Sequence, residues 1–296
     1  MKAFVTGASG FVGTHLVAHL GDEGDDVIAP GHDGDGVDVT DAAAVRERIG
    51  DERPDAVYHL AALSHVGESW SDPQRFLRVN AEGTLNVLRA AEEAGVERVL
   101  VVGSADEYGK VDPAETPLTE DAPLRPMTPY GASKVAADYL ALQAFLGRGL
   151  ATLRTRSFNH TGPGQSDRFV VSAFARRVVE ASAGGVKELK VGSLEPVRDF
   201  SDVRDVVRAY RLLVERGTPG EAYNVSSGRG RSVHDILDRL LALAETEVEV
   251  VPDPELVRPV EVPVLVGDNS KLRRDTGWEP AYDLDATLTA VLDSWR

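Results

Sequence analysis

The chain has 296 residues, 42% of them hydrophobic, and carries a formal net charge of −16 at pH 7. This length and composition support a sizeable core and exclude a disordered chain, while the acidic charge argues against nucleic-acid or anionic-membrane partners. The absence of cysteine excludes disulfides, a thiolate nucleophile and cysteine-based metal sites, and we predict no metal. With no membrane-length apolar run and no signal-peptide pattern, we expect a cytoplasmic protein.

In the first half of the chain, short apolar runs alternate with helical patterns, as in KAFVTG, FVGTHLVAHL, DDVIAP and VDV. Alternation of this kind predicts βαβ units and a parallel sheet with helices on both faces. The clearest helix covers 74–94, where Phe76, Val79, Gly83 and Val87 fall on one stripe and Gly95 follows as a stop. We therefore expect an α/β fold with a Rossmann-type, doubly wound parallel sheet.

The sequence pattern changes after residue 158, where loops such as NHTGPGQSD and VPDPELVRPVEVP separate shorter predicted elements. We predict a smaller, loop-rich C-terminal lobe that binds the substrate. The dinucleotide-binding domain then comprises 1–157 plus about 201–225, and the substrate lobe comprises 158–200 and 226–296.

A glycine-rich turn, TGASGFVG, follows the first strand and opens the first helix. Gly7, Gly10 and Gly13 permit a tight turn and let backbone N–H groups approach a pyrophosphate at the helix N-terminus. A purely structural turn can also use three glycines, but the strand before it and the helix after it favour dinucleotide binding. The spacing is GxxGxxG rather than GxGxxG.

The sequence does not decide between NAD and NADP as the cofactor. At the tip of the second strand, the residues Pro30, Gly31, His32 and Asp33 satisfy neither the acidic rule for NAD nor the arginine rule for NADP cleanly. His32 and the third predicted strand, with Asp38 and Val39, are our candidates for contacts with the adenosine end. Helix capping by the neighbouring Thr40 or Asp41 competes for the same loop.

The motif TPYGASK places a tyrosine and a lysine four residues apart at a helix start. Thr128 can cap the helix and Pro129 suits its first position, so Tyr130 and Lys134 should share one face. An ammonium beside a phenol stabilises the phenolate, which predicts a tyrosine acid tuned by the lysine. Ser104, after the apolar strand RVLVV, should emerge at the carboxyl edge of the sheet and donate to a substrate carbonyl.

Most Tyr-x-x-x-Lys pairs are an ordinary aromatic residue and an exposed cation. Here the glycine turn, the serine and this pair occur together in the chain order that the predicted chemistry requires. Through TGASGFVG, GSADEYG and YGASK the chain resembles the extended short-chain dehydrogenase/reductase family over nearly its whole length. Four blocks are similar to those of GDP-4-keto-6-deoxymannose reductases, namely LRPMTPYGASK, RSFNHTGPGQ, KVGSLEPVRDFSDVRD and RPVEVPVLVGDNSKLRRDTGWEP. The last two blocks are shared with GDP-mannose 4,6-dehydratases and other nucleotide-sugar enzymes.

The resemblance implies a set of site residues by position. Ser104, Tyr130 and Lys134 correspond to the catalytic triad. For the cofactor it implies a longer set, namely Gly7, Gly10, Phe11, Val12, Gly13, Leu60, Ala61, Ala62, Asn80 and Phe158. For the nucleotide sugar it implies Ser64, Asp106, Glu107, Asn159, Lys190, Arg198, Arg258 and Glu261. Arginines suit a diphosphate, whereas a surface ion pair is an equally good explanation of Lys190.

These residues predict an NAD(P)H-dependent reductase acting on the C4 ketone of a GDP-linked 4-keto-6-deoxysugar. A 4-epimerase and a 4,6-dehydratase remain alternatives, although the dehydratase glutamate is replaced by Asp106 and Glu107 should point to the other side of an extended segment. A non-catalytic dinucleotide sensor on the same fold would not need the triad. The resemblance also implies a homodimer that pairs helices 74–94 and 130–147.

Overall fold

A computed structural model of the chain describes residues 1–31, 36–184, 187–256 and 262–296. The strands within these residues are β1 (Lys2–Thr6), β2 (Asp26–Ile28), β3 (Ala56–His59), β4 (Arg98–Ser104), β5 (Thr152–Ser157), β6 (Asn159–Thr161), β7 (Glu188–Val191), β8 (Val197–Asp202), β9 (Ala222–Val225), β10 (Gly230–Ser232), β11 (Glu249–Pro252) and β12 (Val264–Leu265).

The helices are α1 (Phe11–Asp22), α2 (Ala42–Glu52), α3 (Val66–Ser69), α4 (Pro73–Leu77), α5 (Gly83–Ala94), α6 (Pro129–Arg148), α7 (Val170–Ser182), α8 (Val203–Arg216), α9 (Val233–Leu243), α10 (Ser270–Thr276) and α11 (Leu284–Asp293). A π-helical turn (Arg78–Glu82) joins α4 to α5, and 3₁₀ turns occupy Ala105–Glu107, Pro113–Glu115 and Pro254–Leu256. No helix within the described residues is long and apolar enough to cross a membrane.

The predicted doubly wound sheet is confirmed. Six strands pair in the order β2-β1-β3-β4-β5-β9, and every pairing is parallel. Apolar side chains of α1 and α8 pack on one face, while those of α2, α5 and α6 pack on the other. Because parallel strands end at one edge, the loops after β1, β3 and β4 meet there and form the natural ligand site.

The second lobe is built on a smaller mixed sheet, β10-β8-β12 with β6 beside β8, and on the pair β7-β11. Helices α7, α9 and α11 share one apolar core with these strands. Segment 201–225 returns to the first sheet through α8 and β9. Leu272 and Trp278 also lie in the core of the first sheet, so the α10 region packs there although the sequence analysis grouped it with the substrate lobe.

Two elements differ from the sequence prediction. The helix expected over 74–94 is interrupted by the π-helical turn that holds Asn80, and it ends as expected at Gly95, in the left-handed conformation. Residues Val37 to Val39 form no strand in the structure, so Asp38 lies in a loop before α2. The run from Val37 to Val39 has only three residues, which is too short for its pattern to distinguish a strand from a loop.

Candidate active site

The glycine turn packs tightly between β1 and the end of β3. Gly7 has φ +70°, and a Cβ there would lie 2.8 Å from the Ala61 amide nitrogen. A Cβ on Gly13 would lie 2.1 Å from the Gly7 carbonyl oxygen. Gly10 precedes α1 and provides no side-chain cap, so the first-turn amides at Phe11, Val12 and Gly13 are available for an anion.

Leu60, Ala61 and Ala62 follow β3 as a half-buried segment beside this turn. Next to it, a small pocket is lined by mostly apolar residues, namely Phe4, Thr6, Gly7, Pro30, Val37, Val39 and Val45. An apolar pocket one turn from an anion-binding helix start suits the adenine end of a dinucleotide. The residues present therefore fit a nicotinamide dinucleotide.

The structure places the residues predicted to contact the adenosine in different environments. Val39 is buried, and its carbonyl accepts from the Asn86 side chain at 2.9 Å. Asp38 is exposed, and its carboxylate accepts from both the amide and the hydroxyl of Thr40 at 2.9 Å, which holds the pKa of Asp38 below its usual value. Asp41, not Thr40, caps α2. His32 lies outside the described residues.

The triad residues meet where β4 ends and α6 begins. Thr128 caps α6 by accepting from the Gly131 amide at 2.9 Å, and Pro129 takes the first helical position, as predicted. Ser104, Tyr130 and Lys134 are each no more than 8% exposed. The Ser104 side chain acts on the Tyr130 phenol and lowers its pKa. The two side chains therefore lie near each other at the carboxyl edge of the sheet.

The electrostatics of Tyr130 differ from the sequence prediction. Burial raises the pKa of Tyr130, the Asp106 carboxylate raises it further, and the hydrogen bond with Ser104 opposes both. Lys134 is not what lowers the phenol pKa here, because its Nζ donates to the Val102 carbonyl at 2.6 Å and burial lowers its own pKa. The phenol is consequently held protonated, which is the form that an acid needs.

Asn80 organises the edge of the site from within the π-helical turn. Its side-chain carbonyl oxygen accepts from the Leu63 N–H at 2.8 Å. Its side-chain NH₂ group donates to the Leu63 carbonyl at 3.0 Å and to Ser133 Oγ at 2.9 Å. These bonds tie the segment after β3 to the first turns of α6. Asn80 thus positions groups around the triad, as the sequence analysis expected in outline.

Sequence reasoning missed a buried hydrogen-bond relay centred on His59. Thr84 Oγ1 donates to the Asn80 carbonyl at 2.6 Å, so His59 Nε2 must carry the proton that it shares with Thr84 at 2.9 Å. His59 Nδ1 then accepts from Thr6 Oγ1 at 2.8 Å, and Thr6 accepts from the Ala61 amide at 3.2 Å. A histidine at the end of an apolar strand, in YHLAAL, was the available signal.

The expected extended geometry after Ser104 is wrong, because residues Ala105–Glu107 form a 3₁₀ turn. Asp106 points back to the serine: its amide donates to Ser104 Oγ at 3.2 Å, and the Ser104 hydroxyl donates to its carboxylate at 3.3 Å. Glu107 is fully buried and accepts from the Ser104 amide at 2.8 Å. Glu107 therefore lies beneath the site and not in a position to contact a substrate.

The region after β5 links the triad to the second lobe. Ser104 pairs in register with Ser157, and two residues later the exposed Asn159 pairs with Phe200 of β8. Phe158 is 2% exposed and its ring packs against Tyr108, while its place beside the nicotinamide stays a prediction. An aromatic residue at a strand end often completes the core, and this one does.

The predicted substrate contacts lie on several elements. Ser64 is exposed in the loop after β3. Arg198 is half-buried on β8, between β10 and β12. Lys190 lies 3.6 Å from Asp253 in an exposed ion pair on the β7-β11 sheet. This ion pair accounts for Lys190 without any contact to a substrate. Arg258 and Glu261 lie outside the described residues.

Comparison with known proteins supports this chemistry. A family model described as GDP-mannose 4,6 dehydratase matches residues 35–291. A GDP-6-deoxy-D-mannose reductase of Pseudomonas aeruginosa is 37% identical and covers 100% of this chain and 97% of its own. A UDP-glucose 4-epimerase of Streptomyces lividans is 31% identical, with 100% and 95% covered.

Solved structures agree with these sequence relatives. The structure of RMD from Pseudomonas aeruginosa complexed with NADPH superposes with a TM-score of 0.92 at 37% identity, covering 99% of this chain and 98% of that one. A UDP-glucose 4-epimerase of Thermus thermophilus in complex with NAD gives a TM-score of 0.88 at 31% identity, with 100% and 99% covered. The chain belongs to the GDP-mannose 4,6-dehydratase family of extended short-chain, NAD(P)-dependent dehydrogenases and reductases.

Proposed function

We propose that this protein is a nucleotide-sugar reductase that converts the C4 ketone of GDP-4-keto-6-deoxymannose to the alcohol of GDP-D-rhamnose with NAD(P)H. The observation that carries the proposal is that Ser104, Tyr130 and Lys134 lie buried together at the carboxyl edge of the sheet, with Tyr130 and Lys134 one turn apart on α6. The similarity to a GDP-6-deoxy-D-mannose reductase over the full chain supports the same substrate.

The cofactor site comprises the glycine turn, the segment Leu60 to Ala62 and the apolar pocket that includes Val39. Gly7 and Gly13 keep the backbone close to the diphosphate, and the first-turn amides of α1 receive its negative charge. When bound, the reduced nicotinamide supplies the hydride. A relative of high structural similarity was solved with NADPH and another with NAD, so we leave the preference open.

Tyr130 acts as the general acid. Its raised pKa keeps the proton on the phenol until negative charge develops on the C4 oxygen of the sugar, and the phenol then protonates that oxygen. Ser104 donates a hydrogen bond to the same oxygen and orients it. Lys134 lies one helical turn from Tyr130 and is held by the Val102 carbonyl, so we assign it the role of supplying positive charge near the site and not of lowering the pKa of the phenol.

The arrangement of carboxylates favours reduction over dehydration. A 4,6-dehydratase must remove the C5 proton with a base within hydrogen-bond reach. The Asp106 carboxylate accepts from the Ser104 hydroxyl, whose oxygen accepts from the Asp106 amide, and the buried Glu107 accepts from the Ser104 amide. The carboxylate two residues after the serine is thus one methylene shorter than the dehydratase glutamate and is directed toward Ser104.

We further propose that the nucleotide sugar lies between the triad and the second lobe. Asn159 and Ser64 are exposed at the rim, and Arg198 would neutralise the diphosphate through charge-assisted hydrogen bonds. Arg258 and Glu261 stay predictions for the nucleotide end, whereas we assign Lys190 to its ion pair with Asp253. We also propose a cytoplasmic location, as the sequence analysis expected.

A homodimer through α5 and α6 is part of the same proposal. On α6, Tyr139 is 56% exposed and Leu146 is 73% exposed, and Leu77 on α4 is 48% exposed. Apolar side chains on one helical layer are typical of a two-fold interface. Sedimentation equilibrium should give twice the chain mass of 31.8 kDa, and the value of a single chain would contradict the proposal.

The assay for the proposed function mixes the protein with GDP-4-keto-6-deoxymannose and, separately, NADH and NADPH. Loss of the reduced-nicotinamide absorbance, with formation of the 4-hydroxy sugar, is the expected result. Absence of oxidation with both cofactors would remove the reductase assignment. Turnover without added cofactor, from tightly bound NAD, would instead indicate an epimerase or a dehydratase.

A further inference from the structure

The motif FNHTGPGQ contains a histidine, His160, to which the proposed function gives no role. His160 lies in β6, one residue after Asn159 at the rim of the proposed sugar site. Its Nδ1 lies 3.0 Å from the Phe158 carbonyl oxygen, and because a carbonyl can only accept, Nδ1 carries a proton and donates it. This bond ties the imidazole to the residue that follows β5.

The His160 ring packs on the first residue of the cofactor helix α1. The rings of Phe11 and His160 are stacked, with an interplanar angle of 11° and their centroids 6.3 Å apart. His15, one turn further along α1, meets the Phe11 ring edge-on at 5.4 Å, and its Nε2 donates to the Pro163 carbonyl at 2.9 Å. Two side chains of α1 thus hold the segment from His160 to Pro163 at two points.

A glycine within this segment lets it approach the first lobe closely. A Cβ at Gly162 would lie 2.5 Å from Val203 Cγ1, at the start of α8, and 3.8 Å from the Phe11 ring. Gln165 is 6% exposed, and its Nε2 donates to the His160 carbonyl at 3.0 Å. The segment is therefore hydrogen-bonded within itself and packed against both α1 and α8.

This packing joins the two halves of the proposed site. Phe11 begins α1, whose first-turn amides are available for the cofactor diphosphate, while Asn159 lies next to His160 at the sugar rim. Strand β6 has only three residues and pairs with β8. The stack on Phe11 gives Asn159 a second support, from the cofactor side. Hydride transfer needs such support, because a displacement of about 1 Å can cost about 100-fold in rate.

We propose that His160 is a positioning residue for the reduction: stacked on Phe11, it fixes Asn159, and with it the nucleotide sugar, relative to the cofactor. This inference rests on the proposed function and deepens it, since it identifies a contact that holds the sugar rim against the cofactor helix. His160 acts through its two neighbours and needs no contact with the reacting atoms.

The test compares three variants of His160 in the whole protein. His160→Ala removes the ring and its donor, His160→Asn keeps a donor near Nδ1 without the ring, and His160→Phe keeps a ring for the stack without the donor. We expect the alanine and asparagine variants to lower kcat/KM for the nucleotide sugar about 10- to 100-fold, with NADPH affinity unchanged. His160→Phe should stay close to the wild type, because aromatic stacking is retained.

A double-mutant cycle with Phe11 separates the stack from a general loss of packing. Once Phe11→Ala has removed the stack, His160→Ala should add little, so the combined loss in kcat/KM should be about tenfold smaller than the product of the single losses. His234→Ala is the control, because this exposed histidine of α9 contacts only Asp238 through its side chain among the described residues, and it should leave every constant in place.

Three results would overturn the proposal. They are wild-type kcat/KM in His160→Ala or His160→Asn, a loss in His160→Phe equal to that in His160→Ala, and single losses that multiply in the cycle. Urea unfolding of each variant confirms that the measured protein is folded. A wild-type protein that oxidises neither cofactor would instead remove the proposed function, and this inference with it, so the two failures are distinguished before any variant is measured.

Discussion

Tyr130 and Lys134 lie one turn apart on α6, yet the Lys134 ammonium donates to the Val102 carbonyl at 2.6 Å, while the Ser104 side chain acts on the Tyr130 phenol. The lysine is therefore tethered to β4. In the proposed function, Tyr130 donates the proton, Ser104 orients the substrate and Lys134 supplies positive charge near the site.

Replacement of Tyr130 by phenylalanine removes the acid and keeps the ring that packs against Phe76. We expect kcat to fall by about 100- to 10,000-fold, the usual contribution of a general acid, with little change in NADPH affinity. Steady-state turnover and cofactor fluorescence titration measure the two effects. Tyr139→Phe on the same helix is the control, since that side chain is 56% exposed, and it should retain full activity.

Gly13 is expected to tolerate no side chain. An alanine Cβ there would lie 2.1 Å from the Gly7 carbonyl oxygen, which should lower the free energy of unfolding by about 1–3 kcal/mol and abolish cofactor binding. Gly21→Ala on the same helix meets nothing within 4 Å and should raise stability by about 0.5–1 kcal/mol. Urea unfolding with and without NADPH measures both variants. Similar behaviour of the two alanines would contradict the packing argument.

Variants of Arg198 and Lys190 distinguish a predicted substrate contact from a surface ion pair. Arg198→Met should raise KM for the nucleotide sugar by about 10- to 100-fold, because a charge-assisted hydrogen bond is worth about 1.5–3 kcal/mol. Lys190→Met removes an exposed ion pair with Asp253 and should change KM by less than about fivefold. Initial rates at varied sugar concentration decide the matter. An unaffected KM in Arg198→Met would exclude that residue from the diphosphate site.

His59 should make stability depend on pH. Burial lowers its pKa from 6.5 to about 3, so below pH 6.5 the unfolded chain binds a proton that the folded protein does not. Stability from this residue is therefore lost as pH falls from 6.5 toward 3. Between about pH 7.5 and 5.5 the wild type should lose about 1.4 kcal/mol more than His59→Gln in urea unfolding. Parallel losses in the two proteins would contradict the buried, neutral assignment.

The start of α6 was predictable because its signals are local. Thr128, Pro129 and the four-residue spacing of Tyr130 and Lys134 act within one helical turn, and the structure has the cap and the register that they imply. The parallel sheet was predictable for the same reason, since each strand and helix shows its own periodicity. Ser104 followed from its place at the end of an apolar strand.

Tertiary contacts explain what the sequence analysis did not foresee. The 3₁₀ turn at Ala105–Glu107 depends on a carboxylate folding back over Gly103, and the burial of Phe158 depends on Tyr108 and on close packing at Gly267. Trp278 joins the core of the first sheet through contacts with residues far away in the chain, including a hydrogen bond to the Asp205 carbonyl. No local pattern carries such information.

The central claim is that this site delivers a hydride to C4 of the sugar and a proton from Tyr130 to its oxygen. Reduced cofactor labelled with deuterium at the transferable position, incubated with GDP-4-keto-6-deoxymannose, tests it most directly by mass spectrometry and NMR of the product. The account predicts one deuterium at C4 and one cofactor oxidised for each sugar reduced. A product without deuterium at C4, or one formed without net oxidation of cofactor, would contradict it.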